Sequence, residues 1–525
     1  MTAPSLDDRV DDLLAQLSPA EKLAMLDGDT PFWTGMIDTV RHDAYHRHPW
    51  PAGVVERLGI GGLHFVDGPR GVVLDTGATT FPAAIARGAT FDTDLEERVG
   101  EALGREVRAV GANLFGGVCV NLLRHPGWGR AQETYGEDPA HLAAFGSAVV
   151  RGVAPHAIAC VKHVAQNSID SARFRVDVQA SARVLHEVYL PHFRACVDAG
   201  ALSVMSAYNK VNGEWCGQNS SLLTDILKRR WGFDGFVLTD FIFGVHDAAA
   251  GVNAGLDLEM PMHLVLHEDL PGAVEAGEVP VERIDDAVAR MLRAQLALPD
   301  DDSAEYAPDV LGCVEHRALA REAAQKSIVA LKNDDALLPL ADTGTIAVIG
   351  ALADQANLGD HGSSDTRPHA VVTPLAGLKQ AAPDASITYS TGADQQQAAA
   401  LAADAETAVV VVGLDWRNEG EHIEISDVET TLRRVPPPDP LRRRVPDRLL
   451  SRVWSPLARG LAAAATRASS GRTTGTTGGS TAGDRSNLRL DPRDEALVRT
   501  VAAANPRTVV VLTGGGAIIT EAWRH

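Results

Sequence analysis

The sequence predicts an α/β chain of two domains, an N-terminal strand–helix alternation that fits a (β/α)8-type barrel, followed by a second α/β domain. Three observations predict it. Between about residues 58 and 295, short apolar runs alternate with longer amphipathic stretches. The segment LPDDDSAEYAPDVLG at 298–312 is acidic and proline-containing, as an interdomain linker is. Beyond about residue 315 the apolar runs become Val-rich and nearly unbroken, as buried parallel strands are. The boundaries that follow are 1–297 for the first domain, 298–314 for the linker and 315–525 for the second.

In the first domain GGLHFVDGPRG, ANLFGGVCVNLL, IACVKHVAQNS, ALSVMSAYNKVNG, GFVLTDF and AGLDLEMP each set a β-type run before polar residues. LEERVGEALGREVRAVGA and SARVLHEVYLPHFRACVDAG between them repeat apolar residues at helical spacing. A doubly wound open sheet would give the same alternation, so periodicity alone leaves both open. In a barrel the chemistry sits at the carboxyl ends of the strands. This reading puts Asp67, Lys162, His163, Tyr208, Asp240 and Asp257 there. In the second domain HRALAREAAQKSIVALKN reads as a helix, and TIAVIG, ASITYS, TAVVVVGL and RTVVVLTGGG read as strands. Residues 424–483 break the pattern with the Pro/Arg-rich RRVPPPDPLRRRVPDRLLSRVW and a Gly/Ser/Thr tract. They are expected to form a solvated surface insertion and a flexible loop. The end at AIITEAWRH, where a covering helix should come next, reads as an incomplete domain.

A formal net charge of −21 argues against nucleic-acid or anionic-membrane partners. The five cysteines, Cys119, Cys160, Cys196, Cys216 and Cys313, are widely spaced with no CxxC pair, which suits reduced thiols. The acidic start lacks the basic and apolar regions of a secretion signal, and no stretch approaches the roughly 20 apolar residues of a membrane span. The expected location is the cytoplasm. Self-association as a homo-oligomer is left open.

Asp240 in TDFIFG follows the run GFVL and should project from a strand end, as a nucleophile, a metal ligand or a helix cap. LRHPGWGRAQETYGEDP contributes Arg130, VKHVAQN contributes Lys162 and His163, and MSAYN contributes Met205 and Tyr208. Apposed Asp, Arg, Lys and His suit a sugar, whose hydroxyls want carboxylate acceptors and charged donors. No GxxxxGK[ST], HExxH or strand-linked GxGxxG is present. His361 in GDHGSSDTRP has no ligand cluster around it and reads as a loop histidine. No metal or organic cofactor is expected.

These stretches, together with SARVLHEVYLPHF, AREAAQKSIVALKN and GDHGSSDT, run in the order found in family-three glycoside hydrolases, and the chain resembles the bacterial β-glucosidase type. The resemblance implies a barrel and a sandwich with the active site between them, and a two-step retaining mechanism on a small β-glycoside or oligosaccharide. It implies Asp240 as nucleophile. It also implies that Asp67, Arg130, Lys162, His163, Arg173, Met205, Tyr208, Phe241 and Ser363 hold the sugar. Glu419, in a family-like E-G context, is the expected acid/base, with Glu421 its competitor. Phe241 stands where many relatives carry tryptophan, and Val73 where many carry arginine; both bear on which sugar is bound. A β-xylosidase, a catalytically impaired carbohydrate-binding relative and Schiff-base chemistry on Lys162 are the competing readings.

Overall fold

The computed structural model describes residues 4–299, 304–334, 336–340, 343–358, 362–422, 435–437, 454 and 483–524. It contains a six-stranded sheet, a four-stranded sheet and a small three-stranded ribbon, with helices packed on the two larger sheets.

The six-stranded sheet comprises β1 (Trp50–Ala52), β2 (Leu63–Val66), β3 (Leu114–Cys119), β4 (Ile158–Val164), β6 (Ser203–Ser206) and β9 (Phe236–Leu238), in that order. β1 is antiparallel to β2, and the other pairs are parallel. β3, β4, β6 and β9 are buried at every position, which explains why they read as apolar runs without alternation. Isolated bridges extend the sheet at both edges. Leu238 of β9 pairs with Leu258, Glu259 with Asp27, Met262 with Thr30, and Gly28 with Ala52 of β1. The ribbon of β5 (Asp177–Val178), β7 (Lys210–Val211) and β8 (Glu214–Trp215) lies in the crossovers on either side of β6.

Helix Thr93–Ala109 starts where the Asp92 carboxylate accepts from the Leu95 N–H, and it buries Leu95, Val99, Leu103 and Val107 at helical spacing. Its neighbour, helix Pro139–Val153, is capped in the same way by Asp138. The predicted strand AGLDLEMP is reduced to the bridges at Leu258 and Glu259. Asp257 therefore begins that segment. It accepts from the Val237 N–H at 2.8 Å and from Lys228 at 2.7 Å, and also from Arg283, so it is a structural anchor outside the site.

The four-stranded sheet has the order β11 (Asp384–Ser390), β10 (Thr343–Ile349), β12 (Thr407–Gly413), β13 (Thr508–Thr513), all parallel. These are the four predicted runs. On β12, Ala408, Val410 and Val412 pack toward helices Gln395–Asp404 and Pro492–Ala504, while Val409 and Val411 pack on the opposite face with Leu375. The period of two, with helices covering both faces, is what makes the run continuous in sequence.

The segment read as a linker docks on the first domain, where Gly312 N–H donates to Glu106 at 3.1 Å and the Tyr306 hydroxyl meets His156 at 3.1 Å. The helix expected through Asn333 ends at Ser327, leaving Ile328 extended and exposed. Of the insertion, Trp33 Nε1 donates to the Pro436 carbonyl and Trp454 Nε1 to that of Val435, each at 2.7 Å. The rest of 424–482, with its expected basic surface segment and most of the Gly/Ser/Thr tract, lies outside the described residues, as does His361.

Candidate active site

Asp67, Lys162, His163, Met205, Tyr208, Asp240 and Phe241 all leave the same ends of β2, β4, β6 and β9, where parallel strands stop together. The approach is close. A Cβ on Gly116 of β3 would lie 2.3 Å from the Phe65 ring and 3.2 Å from Asp67 Oδ1, so only glycine lets β3 pass Asp67. The β3–β4 register shifts between Phe115 and Val118, a bulge beside the site.

Asp67 Oδ1 accepts from Lys162 Nζ at 2.6 Å and Oδ2 from the Tyr45 hydroxyl at 3.0 Å. Burial works against the charge on Lys162, but Asp67 and Glu133 outweigh it and hold its pKa above the ordinary lysine value. A protonated amine is not a nucleophile, so the Schiff-base reading loses its premise.

Arg130 grips Glu133 through Nε and Nη2 at 2.7 and 2.8 Å and donates to Ser363 Oγ at 3.0 Å. Arg173 donates to Glu421 at 2.9 Å, pairs with Asp170 at 2.9 Å and stacks its guanidinium 4.9 Å from the Phe174 ring centre. Glu421 is the carboxylate that the two arginines share, with Arg130 at 3.5 Å and the Ser363 N–H at 2.7 Å. Burial opposes its charge, yet the arginines hold Glu421 well below the usual carboxylate range.

Asp240 is 6% exposed. Its Oδ1 accepts from the Phe241 N–H at 2.9 Å, whereas Oδ2 is buried with no hydrogen-bond partner. Burial lifts its pKa from 3.8 to about 6, against the pull of Arg130, Arg173 and Lys162. His163 Nε2 lies 3.5 Å from Oδ2. Asn121 fixes that ring: its Nδ2 donates to the His163 carbonyl at 2.9 Å, so its Oδ1 takes the His163 N–H at 2.8 Å and the ring Nδ1–H at 2.9 Å. Burial and the cations Arg130, Lys162 and Arg173 push His163 well below its ordinary pKa, leaving it neutral with a bare Nε2. The Tyr208 hydroxyl donates to the Phe241 carbonyl at 2.9 Å, and the Phe241 ring packs 4.7 Å from Phe65. Met205 is buried at the end of β6.

Glu419 does not share the arginine pair. Its Oε1 accepts from the Gly515 N–H and its Oε2 lies 3.6 Å from Arg485. Burial raises its pKa. The predicted residues thus fall into one group around Asp240 and a second, containing Glu419, on the neighbouring loops. Tyr45, Asn121 and Glu133 belong to the first group and were not predicted. A Glu three residues after Arg130, at the spacing of one helical turn, was the available signal for Glu133.

Two family models match the chain. The glycosyl hydrolase family 3 N-terminal domain covers residues 53–294 and the corresponding C-terminal domain covers 328–525. The chain belongs to glycosyl hydrolase family 3. Within this family it is 35% identical over 416 residues to thermostable β-glucosidase B of Acetivibrio thermocellus, a match covering 73% of this chain and 54% of that one. A β-glucosidase of Rhizobium radiobacter is 35% identical over 431 residues, 79% of this chain and 50% of the relative. The chain therefore spans about half the length of these curated relatives. Among solved structures, the family-3 β-glucosidase of Bifidobacterium adolescentis superposes with a TM-score of 0.75 at 26% identity, covering 99% of this chain and 65% of that one. The β-D-glucoside glucohydrolase of Trichoderma reesei gives 0.78 at 25%, covering 99% and 69%.

Proposed function

We propose that this family-3 protein is a retaining exo-acting β-glucosidase, releasing a terminal β-D-glucosyl residue through a glycosyl ester on Asp240. One observation carries the reading. Asp240 is a buried carboxylate with one oxygen fixed by a backbone N–H and the other without a partner, inside a ring of Arg130, Lys162 and Arg173. An oxocarbenium-like transition state needs an anion at the anomeric carbon, and the cations keep that anion available.

Asp67, Arg130, Lys162, His163, Arg173, Tyr208 and Ser363 would take the sugar hydroxyls, with Met205 and Phe241 beneath the ring. Arg173 Nε and Nη2 are buried without acceptors, which a hydroxyl would supply. Glu419 is the proposed acid/base. An acid must enter the first step protonated, and Glu419 is raised whereas Glu421 is pinned as an anion by two arginines. Its loop would swing the carboxyl to roughly 5–5.5 Å from Asp240, the retaining separation. Water then cleaves the ester with the same group acting as base.

The edge bridges support a closed (β/α)8-type barrel over 1–297, a linker over 298–314 and a sandwich over 315–525. The five cysteines are unpaired, four of them buried, which supports a reducing, cytoplasmic location. No described helix is long and apolar enough to cross a membrane. A β-xylosidase is the second reading, since Phe241 stands where many relatives carry tryptophan and so bears on which sugar is bound; a panel of nitrophenyl glycosides separates the two. The decisive experiment is incubation with a 2-deoxy-2-fluoro-β-glucoside followed by peptide mapping. A covalent adduct on Asp240 is expected. A product of inverted configuration would end the proposal.

A further inference from the structure

Apart from the proposed catalytic carboxylates, one cluster among the described residues has the donor set for a cation. Asp27, His263 and His267 each offer a ligand atom, all within 4.8 Å of one another. Asp27 Oδ1 lies 3.5 Å from His263 Nε2, and Oδ2 lies 3.2 Å from His267 Nδ1. Ligands bound at about 2.1 Å in a tetrahedral shell sit about 3.4 Å apart, close to each of these carboxylate–imidazole separations. The two imidazoles stack with centres 3.8 Å apart and planes 6° from parallel. Nitrogens in parallel planes cannot both aim at one point, so one ring must turn for the two imidazoles to share an ion.

A second observation is independent of that proximity. Asp27 is 2% exposed and its Oδ1 is buried with no hydrogen-bond partner. Across the Asp27–Glu259 bridge, Glu259 Oε1 is likewise buried without a partner. Buried carboxylate oxygens are costly unless a cation or a proton answers them. Both histidine side chains reach solvent, at 26% and 41% exposure, which leaves an entry path and room for water ligands. Two imidazoles and one carboxylate suit Zn²⁺ and its transition-metal neighbours, whereas Ca²⁺ and Mg²⁺ want an all-oxygen shell.

The location gives the site a task. Asp27 and Thr30 bridge to Glu259 and Met262, and the His263 N–H donates to the Thr30 carbonyl at 2.9 Å. The three ligands therefore straddle the seam where the N-terminal segment meets residues 258–263. We propose that Asp27, His263 and His267 bind one divalent transition-metal ion, Zn²⁺ foremost, which clamps this seam.

The test uses the whole chain after chelator dialysis, with ZnCl2 as probe in equilibrium dialysis and thermal melts. Wild type should take up one ion at micromolar free Zn²⁺ and melt at a higher temperature with it, while CaCl2 and MgCl2 change nothing. His263→Ala and His267→Ala should each weaken binding at least about 10-fold, since even partners outside the ligand shell are worth 10–100-fold. Asp27→Asn, which keeps the side-chain shape, should do the same and covers the case in which a histidine variant folds poorly. Asp240→Asn should bind as wild type, which separates this site from the catalytic reading. Uptake unchanged in the His263→Ala/His267→Ala double variant, or uptake without any change in melting, would overturn the clamp.

Discussion

Replacing Asp240 by Asn should make the protein more stable while stopping turnover, and the size and pH dependence of the gain follow from the structure. Burial lifts the Asp240 pKa from 3.8 to about 6. The native state therefore binds this proton more tightly than the unfolded chain does. The stability it confers is fully present below about pH 3.8 and is lost as pH rises through about 6. At pH 7.5 wild type bears the whole cost of the buried anion, about 3 kcal/mol. Asn cannot ionise, and its Nδ2 can donate to the bare Nε2 of His163, which faces that position at 3.5 Å. The variant should thus gain about 2–3 kcal/mol at pH 7.5 and only about 1 kcal/mol at pH 4.5. For a cooperative unit of roughly 300 residues that is a rise in Tm of about 3–5 °C at the higher pH. Differential scanning calorimetry of both proteins at the two pH values is the assay, with hydrolysis of a nitrophenyl β-glucoside as the control for lost turnover. A variant no more stable than wild type at pH 7.5, or one with the same margin at both, would refute the account of Asp240 as a strained anion.

Other expectations follow from the same geometry. The proposed nucleophilic role requires Asp240 ionised, so kcat/KM should fall about tenfold per pH unit below about 6, measured with an aryl glucoside at fixed ionic strength. Glu419→Ala should lose little rate with an activated aryl leaving group, lose much with an alkyl one, and recover with azide. Glu421→Gln should instead raise KM, because it strips charge from the Arg130–Arg173 pair; the reverse pattern would exchange their roles. Lys162→Met leaves Asp67 buried beside no cation and should cost about 3–5 kcal/mol in urea unfolding, as broken buried pairs do. Gly129→Ala should impair catalysis more than stability. Its Cβ would lie 2.4 Å from the Gly420 carbonyl oxygen and 2.5 Å from that of Gly483, displacing the loop that carries Glu419.

What the sequence disclosed depended on how locally each feature is encoded. Buried parallel strands are continuous apolar runs, so β3, β4, β6, β9 and β12 were legible on that ground, whereas the edge strands β11 and β13 are only partly buried and were read from β-type composition. The charged residues at their ends came with them. Asp257 was misplaced because an apolar run does not say which of its ends faces the site, and here the pairings to Lys228 and Arg283 decide it. Tyr45 lies in a short 3-10 turn with no period to mark it, and reaches Asp67 only through the fold. Asp484 closes a Gly/Ser/Thr tract that reads as a linker. It nonetheless accepts from the backbone N–H groups of Gly129, Asp170 and Ser171, tying three distant segments together at the site. Turn composition announces a loop and says nothing of where that loop docks.

His163 shows how such unread contacts govern the chemistry. Were its ring protonated, Nε2–H would donate to Asp240 Oδ2 and occupy the lone pair that the proposed attack on carbon needs. The three cations around the ring and its burial keep it neutral. Asn121, oriented by its own bond to the His163 carbonyl, takes the remaining proton on the far nitrogen. Arg130, Lys162 and Arg173 therefore act twice, stabilising the Asp240 anion directly and denying it a donor on the histidine side. A buried carboxylate with its pKa raised to about 6 and one unbonded oxygen is the outcome. It follows from a balance among buried charges, and no single motif in the sequence encodes that balance.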